Sequence, residues 1–442
     1  MTNVLLVGGG AREHAMALAI TRSGGVLFAA LPTKNPGILA LAKEHFFVKD
    51  TDATSIAAWA KGKVDLAVVG PDAALAAGVT DALQNVGIAV ASPTRAAAEI
   101  EWNKSFMRGL LERHHVDGRV RYQLLRSADG MRDEIARMWP LAVKPLGLTG
   151  GKGVKVSGDH LSNVNEAMVY ANECLAGGAV LLEEKIEGEE FSLQAFCDGH
   201  RAQPMPAVQD HKRAFEGDEG PNTGGMGSYS GPDGLLPFVS RADYDAGVKI
   251  LDQILAALRK EGRPYVGTIY GQFMLSKTGP RVIEINARFG DPEAMNVLTL
   301  LDSDYVRILQ GMADGQLVSG SVKFRPEATV CKYVVPKGYG VKPMADQPLS
   351  VDEPAIHAAG AMSFYAAVNQ TGGAVGSTVL ATTTTSRAVG IVARGATIEE
   401  ANRNADAALA HVNGPNLFHR RDVGSAALIA KRVARMKEVR GG

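Results

Sequence analysis

Residues 4–7 (VLLV) form an apolar run that ends at Gly8, Gly9 and Gly10, and residues 12–23 then read as a helix. The same succession returns at 64–69, which ends at Gly70, Pro71 and Asp72 ahead of another helical stretch. It returns again at 87–90, which leads into Ser92 and Pro93. Short apolar strands separated by turns and helices predict a parallel sheet covered by helices over about the first hundred residues. In such sheets ligands collect where the strands end. Here those ends are the two glycine-bearing turns.

The first turn is not a dinucleotide fingerprint. The third glycine of GxGxxG would fall on Glu13, and no acidic residue closes the second apolar run near 28–31. What remains is a strand, a glycine turn and a helix N-terminus with Arg12 beside it, which suits one phosphate monoester.

Further along, residues 102–113 read as a helix leading into a second domain. A strand at 141–144 precedes a glycine-rich turn and a strand at 154–156, and further strands follow at 180–184 and 190–197. Residues 249–260 read as a helix. The runs 270–276 and 281–286 read as two strands joined by a hairpin turn at Lys277, Thr278 and Gly279. The polar, glycine-rich stretch 209–234 has little periodicity and reads as a long functional loop. From about Phe324 onward, valine, glycine and short strands indicate a small mixed domain. A chain of 442 residues accommodates two to four domains.

Three segments carry candidate chemistry. Residues 146–154 (LGLTGGKGV) pack Gly147, Gly150, Gly151 and Gly153 around Lys152 between two strands. This is not a Walker A loop, because Leu146 stands where the first glycine is needed and Gly153 where serine or threonine is needed. It is a hairpin rich in exposed N–H groups that can fold over polyphosphate, with Lys152 and Lys144 adding charge; a plain mobile hairpin has the same pattern. Residues 282–293 (VIEINARFGDPE) place Glu284 and Asn286 two apart on a strand, hence on one face. A carboxylate and an amide oxygen suit Mg²⁺, Gln272 on the neighbouring strand offers a third oxygen, and Arg288 can neutralise a transferring phosphoryl group. Solvated charges on an edge strand fit the same alternation. The third segment is a pair, QDHKR at 209–213 and GPNTGGMG at 220–227, supplying a carboxylate, cations and glycines that permit close approach of a small ligand.

Composition narrows the class. Lysine plus arginine equals aspartate plus glutamate at 47 each, so nothing predicts bulk attraction to nucleic acid or acidic membranes. The three cysteines, Cys174, Cys197 and Cys331, form no CxxC pair and fit a reducing cytoplasm. With no leader-like start and no apolar stretch long enough to span a bilayer, the chain reads as soluble.

Taken with GGGAREHA at 8–15 and VGPDA at 69–73, these segments resemble the phosphoribosylamine–glycine ligase (glycinamide ribonucleotide synthetase) family of ATP-grasp enzymes. The resemblance runs through most of the chain, and QDHKR, GPNTGGMG and RFGDPE in that order are its most specific part. It implies an α/β and α+β multidomain fold: an N-terminal parallel α/β substrate-binding domain (1–103), an ATP-grasp pair (104–323) with a mobile lid at about 120–188, and a small mixed C-terminal domain (324–442). It implies ligation of glycine to 5-phosphoribosylamine through a glycyl phosphate, giving glycinamide ribonucleotide, ADP and phosphate. ATP is then a substrate and Mg²⁺, or Mn²⁺, the cofactor. The partners are these small molecules alone, on a monomer or weak homo-oligomer in the cytoplasm.

By the same resemblance, Lys104 and Lys144 contact nucleotide phosphates, together with Gly150, Gly151, Lys152 and Gly153 of the loop. Glu183, Glu184, Lys185 and Ile186 hold adenine through backbone groups, and Glu189 accepts from ribose hydroxyls. Gln272, Glu284 and Asn286 hold metal. Arg288, Asp291 and Lys212 serve catalysis. Gly9, Gly10, Arg12, Glu13 and Asp72 bind phosphoribosylamine, and Asp210, Arg213, Asn222, Thr223 and Gly224 complete the substrate side. The chain departs from the family pattern at Pro32–Gly37 (numbers 32–37), at Trp102-Asn103-Lys104, at Lys144-Pro145-Leu146 and at Met362-Ser-Phe-Tyr365. An ATP-grasp ligase with another acceptor, such as a biotin carboxylase relative, lacks QDHKR with GPNTGGMG. A regulatory protein without catalysis would not keep Glu284, Asn286 and Arg288.

Overall fold

The computed structural model of the chain describes residues 1–146 and 153–441. The first five strands form one parallel sheet in the order Glu44–Phe47, Val26–Leu31, Asn3–Val7, Leu66–Val69, Ala89–Val90. Val4, Leu5, Leu6 and Val7 are all fully buried, as a central strand covered on both faces requires. From Asn3–Val7 the chain winds toward one edge and later resumes on the other side. The ends of Asn3–Val7 and Leu66–Val69 therefore flank the point where the winding reverses. Their turns open side by side: a Cβ added at Gly70 would lie 2.1 Å from Glu13 Oε1, and one at Gly8 2.8 Å from Pro71.

A second, antiparallel sheet runs Ala202–Pro204, Glu189–Asp198, Val266–Ser276, Gly279–Asn286. The hairpin turn falls at Lys277 and Thr278, and Gly279 takes φ 106°, a conformation only glycine adopts freely. Its register sets Gln272 directly opposite Glu284. Phe191 and Leu193 point to the face covered by Arg241–Lys260, a helix that begins at a Ser240–Asp243 capping box, earlier than the periodicity from 249 indicates. Beside it, Tyr122–Leu125, Val180–Glu184, Leu141–Pro145 and Lys155–Val156 make a smaller sheet. Two helices, Met131–Met138 and Val164–Leu175, close over that sheet around a separate core that includes Ile135, Val143, Ala171 and Leu182. Gly147, Gly150, Gly151 and Lys152 of the glycine loop lie outside the described residues.

Two readings change. Residues 102–113 are not one helix: Arg95–Trp102 ends and Lys104–Arg113 begins at Asn103, whose side chain accepts from the Phe106 N–H at 3.0 Å. The stretch 209–234 is not an irregular loop either. Gln209–Asp210 pairs with Gly227–Ser230, and Arg213–Phe215 with Glu219–Asn222. Strands of two to four residues are too short to show a period of two.

Gly227–Ser230 also pairs with Ala328–Pro336, which pairs with Val389–Gly395 and through it with Ala361–Tyr365. Residues on both sides of position 324 thus share one sheet. Val368–Gly373, Thr378–Thr383, Pro348–Asp352 and Val412–Asn413 form another, and the helix Ala426–Arg440 follows. Among the described residues no helix is long and apolar enough to cross a membrane.

Candidate active site

Glu284 is the centre of charge. Burial pushes its pKa up, but Lys212 and Lys144, the Asn286 amide and Arg288 together pull it below the usual carboxylate value. Asn286 Nδ2 stands 3.5 Å from Glu284 Oε1, and Asn286 Oδ1 accepts from Arg288 at 3.2 Å. Rotating that amide by half a turn puts its oxygen on the Glu284 side, since the two ends differ only by hydrogen-bond assignment. Arg288 lies just past the strand's end, yet Glu101 brings it back. The Glu101 carboxylate sits 2.8 Å from Arg288 Nη2 and accepts from the Ala287 N–H at 2.8 Å. Burial weakens Arg288's hold on its proton, and Glu101, Asp72, Tyr270 and Glu284 more than restore it, so Arg288 stays a cation. Glu101 carries no motif and was not legible as a site residue.

The predicted third metal ligand is committed elsewhere. Gln272 is fully buried, donates to Glu190 Oε2 at 2.9 Å, and accepts from the Tyr270 hydroxyl. Among the described residues no group of three or more histidine, cysteine, aspartate or glutamate side chains is arranged to hold a metal. One carboxylate and one amide are nevertheless what Mg²⁺ takes from a protein when nucleotide phosphates supply other oxygens. Glu284, kept ionised inside a ring of cations, fits that donor set.

The paired segments prove to be two arms of one hairpin-like unit. Thr223 N–H and Oγ1 both donate to the Lys212 carbonyl, at 2.7 and 2.8 Å, and Met226 N–H to the His211 carbonyl at 2.8 Å. Lys212 points inward, its Nζ 3.4 Å from Glu190 Oε2. Burial lowers its pKa, but Glu190, Asp210, Glu284 and Glu293 outweigh that and raise it, so it remains charged. Asp210 is half-buried beside it, and its pKa is pushed up chiefly by desolvation, with Lys212 opposing and Glu293, Glu190 and Glu284 adding. Its Oδ1 has no hydrogen-bond partner among the described residues. Arg213 points the other way and donates to the Gly220 carbonyl at 2.8 Å on its own hairpin, where Asn222 is its cross-strand partner. The structure therefore brings Asp210 and Lys212 to Glu284 but not the Arg213 side chain.

The predicted nucleotide lysines gather here as well. Lys104 opens its helix; burial lowers its pKa, and Glu284, Lys144 and Glu183 are the charges acting on it. Lys144 donates to Glu183 Oε2 at 2.6 Å. Arg108, nearly inaccessible and unremarked in the sequence, clasps Glu183 with Nε and Nη2 at 2.7 and 2.8 Å. Its other N–H groups reach the carbonyls of Val282 and Ile283, on the strand that bears Glu284. Burial would raise the Glu183 pKa; Arg108 and Lys144 reverse this and hold it at about 2. Glu184 accepts from Arg281 at 2.9 Å, Lys185 Nζ donates to the Ser157 carbonyl at 2.7 Å, and Ile186 is half-buried in the connection that follows. The Gly153 carbonyl accepts from the Tyr170 hydroxyl at 2.7 Å.

Glu189 and its neighbour Glu190 lie on opposite faces of their strand. Successive residues of Glu189–Asp198 face opposite sides of the sheet. Glu190, Ser192 and Gln194 face Gln272 and the Gly290 N–H, which donates to Gln194 at 2.8 Å. Glu189 faces away, and Arg432 of the C-terminal helix donates to its Oε2 at 3.0 Å. The carboxylate on the Glu284 side is Glu190, with a side chain 39% exposed.

The N-terminal turns close the cluster. Glu13 accepts from the Gly10 N–H at 2.8 Å and from Arg12 Nε at 2.6 Å, while Arg12 Nη1 donates to the Phe289 carbonyl at 3.1 Å. Arg12 thus ties the parallel sheet to the turn after the Glu284 strand. Asp72 opens the helix Asp72–Ala76 within electrostatic range of Arg288. Behind Gly9, the Asn35 amide donates to the carbonyls of Gly9 at 3.0 Å and Tyr365 at 2.7 Å. Two of the four segments that depart from the family pattern, 32–37 and 362–365, therefore meet each other. Asp291 lies on the far side, accepting from the Tyr333 hydroxyl at 2.5 Å and paired with Arg387 at 2.8 Å.

The chain is similar to known proteins along nearly its whole length. Residues 2–101, 102–294 and 329–426 match the N, ATP-grasp (A) and C domains of phosphoribosylglycinamide synthetase. The phosphoribosylamine–glycine ligase of Methanoregula boonei is 47% identical over 442 residues, covering 99% of this chain and all of the relative. That of Methanocaldococcus jannaschii is 45% identical, covering 99% of each. The crystal structure of the Thermotoga maritima phosphoribosylamine–glycine ligase superposes with a TM-score of 0.79 at 25% identity, covering 95% of this chain and 99% of that one. The biotin carboxylase domain of the Hydrogenobacter thermophilus 2-oxoglutarate carboxylase shares the fold, with a TM-score of 0.72 at 15% identity, over 99% and 94% of the two chains.

Proposed function

The chain belongs to the phosphoribosylglycinamide synthetase family, and from that premise we propose which of its residues carry the family's reaction. The activity is ATP-dependent ligation of glycine to 5-phosphoribosylamine in purine biosynthesis, through a glycyl phosphate, giving glycinamide ribonucleotide, ADP and phosphate. One glycine carboxylate oxygen bonds to the γ-phosphorus as the bond to ADP breaks. The amine nitrogen of phosphoribosylamine then attacks the acyl carbon, phosphate leaves, and the nitrogen gives up a proton.

Such chemistry asks for neutralised charge, alignment and exclusion of water rather than a protein nucleophile. The observation that carries the assignment is Glu284, half-buried yet kept ionised among Lys212, Lys144 and Arg288, with Asn286 beside it. Glu284 and Asn286 are the proposed Mg²⁺ ligands, and Gln272 joins them only by exchanging Tyr270 and Glu190. Held by Glu284 and Asn286, a divalent cation would offset phosphate charge there, and the same oxygen donors would suit Mn²⁺ as well as Mg²⁺. Lys104 and Lys144 meet the phosphates, and Arg288, held by Glu101, faces the transferring group. Asp210, a carboxylate beside Lys212 whose proton affinity desolvation raises, is suited to take the amine's proton.

Adenine would lie along the connection from Glu183 to Ile186. Ribose hydroxyls would donate to Glu190 in place of Glu189, because only Glu190 lies on the ligand face. The phosphoribosyl group would rest on Gly9 and Gly10 between Arg12 and Asp72, at the reversal point of the parallel sheet. Three buried, free cysteines support a cytoplasmic setting.

The test is ADP release with ATP and Mg²⁺, measured with glycine alone and with glycine plus phosphoribosylamine generated in situ. Strict dependence on both acceptors is expected. Glu284→Ala should abolish turnover and Mg²⁺-dependent nucleotide affinity with unchanged circular dichroism; full activity in that variant refutes the metal assignment.

A further inference from the structure

Gly224 and Gly225 invite the reading that a small ligand approaches their backbone. The group that approaches is a side chain from the C-terminal part of the molecule. A Cβ at Gly224 would lie 3.4 Å from the Arg387 guanidinium carbon, and one at Gly225 would lie 2.7 Å from Pro292 and 3.4 Å from Arg387 Nη1. Gly225 also has φ 112°, so no other residue sits there without strain.

Arg387 precedes the strand Val389–Gly395, far in sequence from either segment. Its Nη1 donates to the Gly224 carbonyl at 2.6 Å and the Asp291 carbonyl at 3.0 Å, and its Nη2 to Asp291 Oδ2 at 2.8 Å. The guanidinium lies over the Tyr333 ring at 4.5 Å, and the Tyr333 hydroxyl takes the remaining Asp291 oxygen. Both oxygens of Asp291 are thus spoken for, and its charge is met. Two residues on, Glu293 shares the Tyr270 hydroxyl with Gln272, which lies opposite Glu284.

We infer that Arg387 is a positioning residue for the ligation, fixing the Gly224–Gly225 backbone and the Asp291 turn as one wall of the pocket that receives glycine. The inference rests on the ligase reading above, and deepens it by giving the C-terminal part a role in acceptor binding. A planar fork with several donors in fixed directions is what joins two backbone carbonyls and a carboxylate at once; lysine offers a point charge.

The experiment compares steady-state kinetics of the full chain with those of Arg387→Ala and Arg387→Lys, alongside Mg²⁺–ATP affinity by calorimetry. Losing charge-assisted contacts of this kind should raise the glycine KM by about tenfold or more and lower kcat, with nucleotide affinity within about twofold of wild type. Added guanidinium ion, at concentrations that leave wild type unaffected, should restore part of the Arg387→Ala rate, and Arg387→Lys should fall between. If Arg387→Ala does not fold, Arg387→Lys and Tyr333→Phe carry the same comparison through the glycine KM. An unchanged glycine KM in the folded variants, or equal losses for glycine and ATP with no guanidinium rescue, overturns the inference. A wild-type enzyme whose ADP release ignores glycine overturns the ligase reading instead.

Discussion

Replacing Glu183 by glutamine removes one negative charge from between two buried cations. Arg108 and Lys144 would lose their common partner, with side chains 1% and 10% exposed. The structure sets the size of the effect. The fall of the Glu183 pKa from 4.5 to about 2, at about 1.4 kcal/mol per pH unit, corresponds to roughly 3 kcal/mol. Leaving a buried cation uncompensated typically costs about 3–5 kcal/mol, so the two routes agree.

The sign follows from a carboxyl whose folded pKa lies below its unfolded one. The contribution is fully present above pH 4.5 and is lost as pH falls from 4.5 toward 2. Urea unfolding followed by tryptophan fluorescence reports on this region, because Trp139 immediately precedes the strand Leu141–Pro145 that carries Lys144. At pH 7, Glu183→Gln should be less stable than wild type by about 3 kcal/mol, and the gap should narrow steadily below pH 4.5. Nucleotide affinity should fall too, since Lys144 loses its anchor and Arg108 its hold on the Glu284 strand. A gap under about 1 kcal/mol at pH 7, the range of exposed ion pairs, or a gap unchanged at pH 3, would refute the reasoning.

Two further substitutions probe the site. Glu190→Gln should erase discrimination between ATP and its 2′- and 3′-deoxy analogues in competition binding, while Glu189→Gln keeps it; the reverse pattern would return the ribose to Glu189. Gly225→Ala should lower stability by about 1–3 kcal/mol in thermal unfolding and depress turnover, because φ 112° and Pro292 at 2.7 Å both oppose a Cβ. The control is Gly62→Ala, also at positive φ (74°) but with open space around it, so a loss no larger than the control's would show that the Pro292 contact is unimportant.

What was legible in the sequence was what local pattern encodes. The strand that ends at Gly8, the hairpin at Lys277 and Thr278, and the shared face of Glu284 and Asn286 follow from periods of two and from turn chemistry. The opposite facing of Glu189 and Glu190 was not legible because two adjacent glutamates begin a strand, and the side each takes depends on pairing with Leu275 and Met274, far along the chain. Arg108, Glu101 and Arg387 were invisible for a related reason. Each acts through partners more than seventy positions away, and a lone charged residue in a helix or turn carries no sign of that. The 209–230 ladder was hidden by strands too short to declare themselves, although the pairing of its two motifs was already apparent.

One feature of the fold bears on how such a protein can be divided. The composition changes near Phe324, and a cloning boundary there would look natural. Yet Gly227–Ser230 donates and accepts its backbone hydrogen bonds across that boundary, along Ala328–Pro336. A fragment ending at 323 would keep every motif that marks it as an ATP-dependent enzyme, and would carry a bare strand edge beside Asp210 and Lys212. Such an edge pairs with whatever chain it meets next. The unit that can be moved between genes, fused or engineered is therefore the whole length, whatever the shading of the sequence suggests.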